Sequence, residues 1–600
     1  MCLRMHPLLL RQLTSATSNV RRLQVLRSSV EAALVTTGSP ARTFVSCYPR
    51  PLRKAEVKYV PTTWSRSFST VENGILKSRF PDVNIPGNET LTQYVTQHFD
   101  DYGNDVAITN GVTGESYTYL QLQDLIRRFG SALTRLGFKQ HDVLAIFSPN
   151  VPEYAIAFFG ASSVGGVVTT ANPTYTPDEL AYQLQHSNAQ YVITIPDVAE
   201  TVKAAKSKCP SVKEIFVIGS DVPECRNFSD LLADDGSAFP ENVSVNTAED
   251  VAVLPYSSGT TGRPKGVVLT NNNIVANLRQ IINKGMLEFN RQEDCLIAQL
   301  PFFHIYGMVA VLSCCLRQGV RFVTIPRFEP ELYLRVIQDY KVNRVMMVPP
   351  IALFLSQHPM VDQYDLSRVK DLMCAAAPMG INLTMALRDK LKPQSLRQGY
   401  GLTETSPVTH LCVEDEFAPG SVGITLPNTE VKVIHTETGQ ALGEGEDGEI
   451  CVRGPQVMKG YLNNPEATAG CIDSDGWFHT GDIGHYDDKG YFYIVDRLKE
   501  LIKYKGLQVA PADLEAVLLG HPSVQDVAVI GVPDERAGEV PKAFIVKKSD
   551  DVTEKEIVDY VAGKVAPFKK LRGGVEFVNE ISKSASGKIL RRTLRDMSRK

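Results

Sequence analysis

Apolar positions along the chain fall into two alternating rhythms. Between residues 119 and 136 they recur at Leu120, Leu122, Leu125, Ile126, Phe129, Leu133 and Leu136, a spacing of three and four that predicts an amphipathic helix. Residues 143–147 are an unbroken Val-Leu-Ala-Ile-Phe, which predicts a strand buried on both faces. The alternation continues with helices expected over 152–164 and 177–186 and strands over 166–170 and 191–195. Further strands are expected at 251–254, 296–300, 321–325, 344–348 and 372–376. Helices and strands in alternation, joined by short connections, predict an α/β fold of layered, largely parallel sheets covered by helices. After residue 421 the texture changes. Short runs at 431–435, 448–453 and 490–495, set among Gly and Asp turns, predict a β-rich subdomain. Beyond residue 496 lie about 100 residues with helices expected over 511–519 and 554–565 and strands over 526–532 and 542–546, enough for a small α+β domain. The expected division is therefore 1–70, 71–495 and 496–600.

Composition sharpens this picture at the N-terminus. Residues 1–70 carry eleven Lys and Arg against two acids, Glu31 and Glu56. Arg4, Arg11, Arg21, Arg22 and Arg27 are interleaved with Leu8, Leu9, Leu10, Leu13, Leu23 and Leu26. An Arg- and Ser-rich, acid-poor amphipathic leader of this kind predicts a mitochondrial address, with a plastid one as the alternative; without a targeting role the protein would be cytoplasmic. The remaining chain holds 52 basic and 65 acidic side chains, a net charge of −13, which argues against nucleic acid as a partner. No apolar run reaches the ~18 residues that a membrane-spanning helix needs. The eleven cysteines are scattered, with no Cys-x-x-Cys, and fit neither a disulfide framework nor a zinc motif.

One stretch concentrates chemistry. Residues 256–266 contain three glycines, four Ser or Thr hydroxyls, Arg263 and Lys265, directly after the strand expected at 251–254. Glycines let backbone amides approach a ligand, and hydroxyls with a lysine beside them make a cradle for phosphate oxygens. The Walker A pattern is not met, because Lys265 follows Pro264 and precedes Gly266.

The sequence Ser-Ser-Gly-Thr-Thr-Gly-Arg-Pro-Lys-Gly at 257–266 resembles the AMP-binding signature of the adenylate-forming enzymes. That superfamily comprises acyl-CoA synthetases, firefly luciferase and peptide-synthetase adenylation domains. Pro-Phe-Phe-His-Ile-Tyr-Gly at 301–307, Gln-Gly-Tyr-Gly-Leu-Thr-Glu at 398–404 and Asp-Arg-Leu-Lys-Glu-Leu-Ile-Lys-Tyr-Lys-Gly at 496–506 follow in family order. The whole is most similar to the 4-coumarate–CoA ligase branch. The resemblance implies an ATP-dependent acid–CoA ligase that converts carboxylate, ATP and coenzyme A to acyl-CoA, AMP and pyrophosphate through an acyl-adenylate. It implies Mg²⁺, and a small C-terminal domain that moves about a hinge at 496–499.

Residue by residue, the resemblance assigns Ser257, Ser258, Gly259, Thr260, Thr261, Gly262 and Lys265 to the phosphates. Residues 398–404 read as a turn. On it Tyr400 would offer a flat face to adenine, Thr403 a hydroxyl to the α-phosphate, and Glu404 a hard oxygen ligand to the metal, with Gln398 and Gly399 also binding the cofactor. Asp482 and Arg497 would hold the ribose. Lys588 would bridge the substrate carboxylate and the α-phosphate, so Lys588, His304, Thr403 and Glu404 would act at the reacting atoms. Lys499 matches the hinge, and Lys503, Lys505, Gly506 and Gln508 the stretch presented with coenzyme A. His304 and Tyr306 match wall and gate of the acyl pocket, with Ala310, Met373, Ala376, Gly399, Gly401, Pro407 and Val408 around them. Gly307 and Cys374 are where branch members are expected to vary. These side chains are small or apolar, so the acid's tail is expected to be uncharged, aromatic or aliphatic.

A luciferase-like monooxygenase and a medium- or long-chain fatty acyl-CoA synthetase are the alternatives on the same scaffold. A non-catalytic homologue is disfavoured because Lys265, Glu404 and Lys588 are all present. The expected partners are small molecules only, with no stable protein partner implied.

Overall fold

The computed structural model describes residues 70–257, 264–505, 507–549, 551–584 and 587–598. The targeting segment expected at 1–70 lies outside them except for Thr70.

The run 143–147 forms the strand Val143–Phe147, every residue buried, inside an eight-stranded sheet. Val167–Ala171 and Ala189–Thr194 flank it in parallel, and Val251–Ser257 continues the parallel order beyond Val167–Ala171. A second, nine-stranded sheet is built on Cys295–Ala298, Arg321–Thr324, Arg344–Met347, Asp371–Cys374 and Ser395–Gly401, all parallel to one another. Both sheets end in antiparallel edge strands: Lys265–Thr270 and Gly460–Tyr461 on the first, Val408–Leu411 and Ile424–Thr425 on the second. The largest hydrophobic cluster spans both sheets and their helices.

The helix expected over 119–136 runs Tyr119–Arg135. Thr118 caps it: its Oγ1 accepts the N–H of Gln121, whose Oε1 accepts the N–H of Thr118. The buried stripe is Tyr119, Leu122, Ile126, Phe129 and Leu133, whereas Leu120 is 37% exposed. The aromatic Tyr119 takes the inward position because its hydroxyl reaches the carbonyl of Val320. The next helix, Glu153–Ser163, is buried all round from Tyr154 to Ser162, so it shows no polar face to a periodicity search.

The β-rich subdomain is a six-stranded antiparallel sheet of Thr70–Glu72, Ile75–Lys77, Glu430–Ile434, Gly448–Arg453, Phe478–Tyr486 and Phe492–Arg497. From Ile502 onward the strands belong to a separate five-stranded sheet with its own apolar core. The change of sheet falls between Arg497 and Ile502. The C-terminal helices run Pro511–Leu519, Glu554–Ala562 and Arg591–Ser598.

Candidate active site

In sheets of parallel strands, ligands gather at the carboxyl ends. Here the carboxyl ends of two such sheets are stitched together. Asn150, just after Val143–Phe147, donates through Nδ2 to the carbonyls of Ala298 (2.9 Å) and Leu300 (2.8 Å) on the second sheet. Its Oδ1 accepts the N–H of Phe302 at 2.8 Å. Thr170 donates to the carbonyl of Phe303 at 2.8 Å. The 301–307 segment is thereby pinned between the sheets, and it leads into a wide, π-type helix, Tyr306–Ser313.

A cavity opens at this junction. Its apolar wall is Ile305, Tyr306, Met373, Ala375, Ala376, Gly399, Gly401, Leu402, Pro407 and Val408. His304, Tyr400, Thr403 and Lys588 complete it. Two glycines are required by close approach. A Cβ on Gly401 would lie 1.9 Å from the carbonyl oxygen of Pro407, and one on Gly307 would lie 2.2 Å from that of Pro301. In this chain backbone therefore occupies the space beside position 307. Cys374 is fully buried and does not line the cavity.

The polar end is organised by charge. Asp482 and Arg497 face each other across paired strands, with Arg497 Nε 3.2 Å from Asp482 Oδ1. Tyr400 donates its hydroxyl to Asp482 Oδ2 at 2.7 Å. The Asp482 carboxylate holds the Arg497 guanidinium above its usual pKa. Burial, with the Asp482 charge beside it, pushes the Tyr400 phenol well up. Tyr461 donates to Glu404 Oε1 at 2.9 Å, and the Lys265 ammonium sits 4.5 Å over the centre of the Tyr461 ring. Lys588 comes from the C-terminal segment. Burial lowers its pKa to about 8, Arg497 pushing the same way while Asp482 and Glu404 oppose. Burial, with Lys588 nearby, lowers His304 to about 3, so its imidazole is neutral at ordinary pH.

Eleven of the expected residues thus meet at one cavity: His304, Tyr306, Met373, Ala376, Gly399, Tyr400, Gly401, Thr403, Pro407, Val408 and Lys588. Ser257 and Lys265 are ladder partners on adjacent strands, bracketing the phosphate loop. Within that loop Ser258, Gly259, Thr260, Thr261 and Gly262 lie outside the described residues, as does Gly506. Residues 398–404 are not simply a turn. Gln398 to Gly401 close the strand Ser395–Gly401, and a short helical turn, Thr403–Thr405, follows.

Two assignments move. Ala310 is fully buried within Tyr306–Ser313 and does not line the cavity, because the wide helix turns it into the core. Gln398 is also set back, its Oε1 accepting the N–H of Met379 at 3.1 Å. Lys499, Lys503, Lys505 and Gln508 are exposed and do not line the cavity. The sequence reading missed Ile305, Ala375 and Leu402, each adjacent to a residue it named. It also missed Tyr461, whose bond to Glu404 spans 57 positions and carries no local signal.

Comparison with known proteins gives a consistent result. Residues 95–462 match the family described as AMP-binding enzyme, and 513–588 match the AMP-binding enzyme C-terminal domain. 4-Coumarate–CoA ligase 1 of Petroselinum crispum is 44% identical over 533 residues, covering 87% of this chain and 97% of that protein. The 4-coumarate–CoA ligase of Vanilla planifolia is 43% identical, covering 87% and 96%. Among solved structures, ATP-bound MatB from Rhodopseudomonas palustris superposes with a TM-score of 0.77 at 27% identity, covering 85% of this chain and 99% of that one. The anthranilate CoA ligase AuaEII in complex with anthranoyl-AMP gives 0.78 at 25% identity, covering 86% and 98%.

Proposed function

The chain belongs to the AMP-binding enzyme family, and from that membership we propose that it is an acid–CoA ligase whose acid is an aryl-propenoate of the 4-coumarate class. The reaction is ATP-dependent and passes through an acyl-adenylate. The observation that carries the reading is Lys588, which lines one cavity with the apolar wall and with Tyr400 and Thr403. A carboxylate whose tail lies along Met373, Ala376, Gly399 and Val408 directs its head at this lysine.

The work of the residues follows from the charges. Bringing a carboxylate to the α-phosphate joins two anions, so catalysis rests on cations and donors placed where negative charge grows. Lys588 supplies a mobile point charge at that position, with Thr403 as the neighbouring hydroxyl. Tyr400 presents its ring to the adenine, while Asp482, oriented by Tyr400 and Arg497, accepts from the ribose hydroxyls. Lys265 holds the outer phosphates. Glu404 is a carboxylate steadied by Tyr461, and it offers the hard oxygen ligand that the magnesium ion accompanying ATP takes. Bound there, magnesium would neutralise phosphate charge. His304, kept neutral by burial, closes the wall beside the carboxylate without competing with Lys588 for it. The thiol half-reaction belongs to a second arrangement, in which rotation near Lys499 brings Lys503, Lys505 and Gln508 inward and withdraws Lys588.

The test uses protein beginning at Val71, ATP, Mg²⁺ and a panel of hydroxycinnamates, benzoates and medium- to long-chain fatty acids, with and without coenzyme A. Hydroxycinnamate-dependent AMP release that needs coenzyme A, and collapse of adenylation in Lys588→Ala, are expected. Preference for a fatty acid would replace the substrate class, and adenylate never passed to coenzyme A would remove the ligase reading. We also propose that residues 1–70 carry a mitochondrial address. A fluorescent protein fused behind them should enter mitochondria, and diffuse fluorescence would refute this.

A further inference from the structure

Three residues before Asp482, the six-stranded sheet carries a cluster that adenylation does not use. Glu449 and Cys451 stand at i and i+2 of the strand Gly448–Arg453, and therefore share a face. Cys451 is the ladder partner of His479 on Phe478–Tyr486, and a register shift accommodates extra residues of that strand between His479 and Ile483, the ladder partner of Glu449. His479 Nδ1 lies 3.1 Å from Glu449 Oε2 and 3.5 Å from Cys451 Sγ. All three donor atoms lie within 4.8 Å of one another. Around a tetrahedral ion, a thiolate at ~2.3 Å and an imidazole at ~2.05 Å stand about 3.5 Å apart, and an imidazole and a carboxylate about 3.3 Å apart. The side chains are thus already spaced as ligands.

The surroundings suit a metal as well. His479 Nε2 faces Asp473 Oδ2 at 3.5 Å, the carboxylate–imidazole arrangement that fixes the ring with Nδ1 free to coordinate. Glu449 spends its other oxygen, Oε1, on the N–H of Gly481, which leaves Oε2 facing the imidazole. Lys432, the ladder partner of Cys451, and Arg453 each lie 4.4 Å over the Trp477 ring. Cys451 is buried while Glu449 and His479 are half-buried, so an ion has a way in.

We propose that Glu449, Cys451 and His479 form a binding site for a zinc-class divalent cation, distinct from the magnesium position at Glu404 and braced against the strand that carries Asp482. A soft sulfur beside nitrogen and oxygen selects zinc or cobalt over magnesium. Coordination releases the Cys451 thiol proton to solvent, and thiolate plus carboxylate then balance the ion's two charges. No spacing rule points to the site, because Cys451 and His479 are 28 residues apart and meet only through strand pairing.

The test uses the full chain, stripped with a chelator and titrated with Co²⁺ as the probe. One equivalent should bind with a thiolate-to-cobalt charge-transfer band, and equimolar Zn²⁺ should abolish the band. Cys451→Ser should lose it, while Cys225→Ser, altering a half-buried thiol beside the strand Arg226–Asn227 of the eight-stranded sheet, should keep it. His479→Gln should bind at least tenfold more weakly. Asp473→Asn keeps Oδ1 as acceptor for the N–H groups of Asp475 and Trp477, and should bind about 10- to 100-fold more weakly if the carboxylate orients the ring. If Cys451→Ser does not fold, the two affinity shifts decide. No band in the wild type, an undiminished band in Cys451→Ser, or wild-type affinity in both His479→Gln and Asp473→Asn would overturn the site.

Discussion

Lys588 operates near its own titration, which makes it measurable. Burial and the Arg497 charge hold its folded-state pKa at about 8, so the ammonium is present below that pH and lost above it. Because kcat/KM reports groups of the free enzyme, adenylation followed by pyrophosphate exchange should fall as pH rises through about 8. In Lys588→Ala the remaining activity should be low and flat there. A descending limb that survives the substitution would assign the titration to another group. The two cavity glycines predict opposite behaviour. A methyl on Gly401 meets the Pro407 carbonyl at 1.9 Å, and backbone cannot yield as a side chain does. Gly401→Ala should therefore destabilise by about 1–3 kcal/mol and lose activity toward every acid. A methyl on Gly399 meets the flexible end of Met373 at 2.9 Å and Leu411 at 3.2 Å. Gly399→Ala should fold, but narrow the pocket and lower kcat/KM for ring-substituted acids roughly tenfold relative to the smallest accepted one, the scale of one methylene.

The elements beneath the site are held by buried charge that no hydrophobic pattern announces. Arg397, fully buried one residue before Gln398, donates to both oxygens of Asp371 (3.2 and 2.7 Å) and to the Met286 carbonyl at 2.6 Å. Arg344 bonds the same carboxylate at 2.9 Å and Asp294 at 2.6 Å. These links tie three neighbouring strands below the cavity floor. Truncating Arg397 leaves Asp371 half-compensated in the interior, so Arg397→Ala should cost about 3–5 kcal/mol, read as a lowered urea midpoint with pyrophosphate exchange lost in step. The same principle explains what the sequence did and did not disclose. Strands such as Val143–Phe147 and the helix Pro511–Leu519 were legible because one property, apolarity, was periodic or continuous. The cavity was largely legible because its residues cluster in short ordered motifs. Tyr461, Arg397 and the withdrawal of Ala310 were not, since each depends on which strand lies beside which, or on a helix wider than the regular α form. Tyr119 replacing Leu120 on the inner face has the same origin, a hydroxyl partner supplied by Val320 from 201 positions away.

Across the whole molecule, two neutral histidines mark where the sheets join. His410, in the nine-stranded sheet, is fully buried with its ring 4.2 Å from that of Phe492 in the six-stranded sheet and 5.7 Å from that of Tyr400. Burial lowers its pKa to about 3, and His304 shares that value. An imidazole free in the unfolded chain titrates near 6.5. Between these values the unfolded state binds protons that the folded state refuses, so stability falls as pH drops below about 6.5 and levels off only near 3. For His410 alone the loss between pH 7 and pH 5 comes to about 2 kcal/mol, and His304 acts in the same direction. Protein beginning at Val71 contains a single tryptophan, Trp477, buried in the six-stranded sheet, so its fluorescence reports unfolding next to this junction. The urea midpoint read from Trp477 should drop on acidification, and His410→Phe, which keeps a ring against Phe492 and removes the titrating nitrogens, should recover most of the drop. An equal drop in that variant would mean that the junction tolerates the charge and that acid sensitivity arises elsewhere in the molecule.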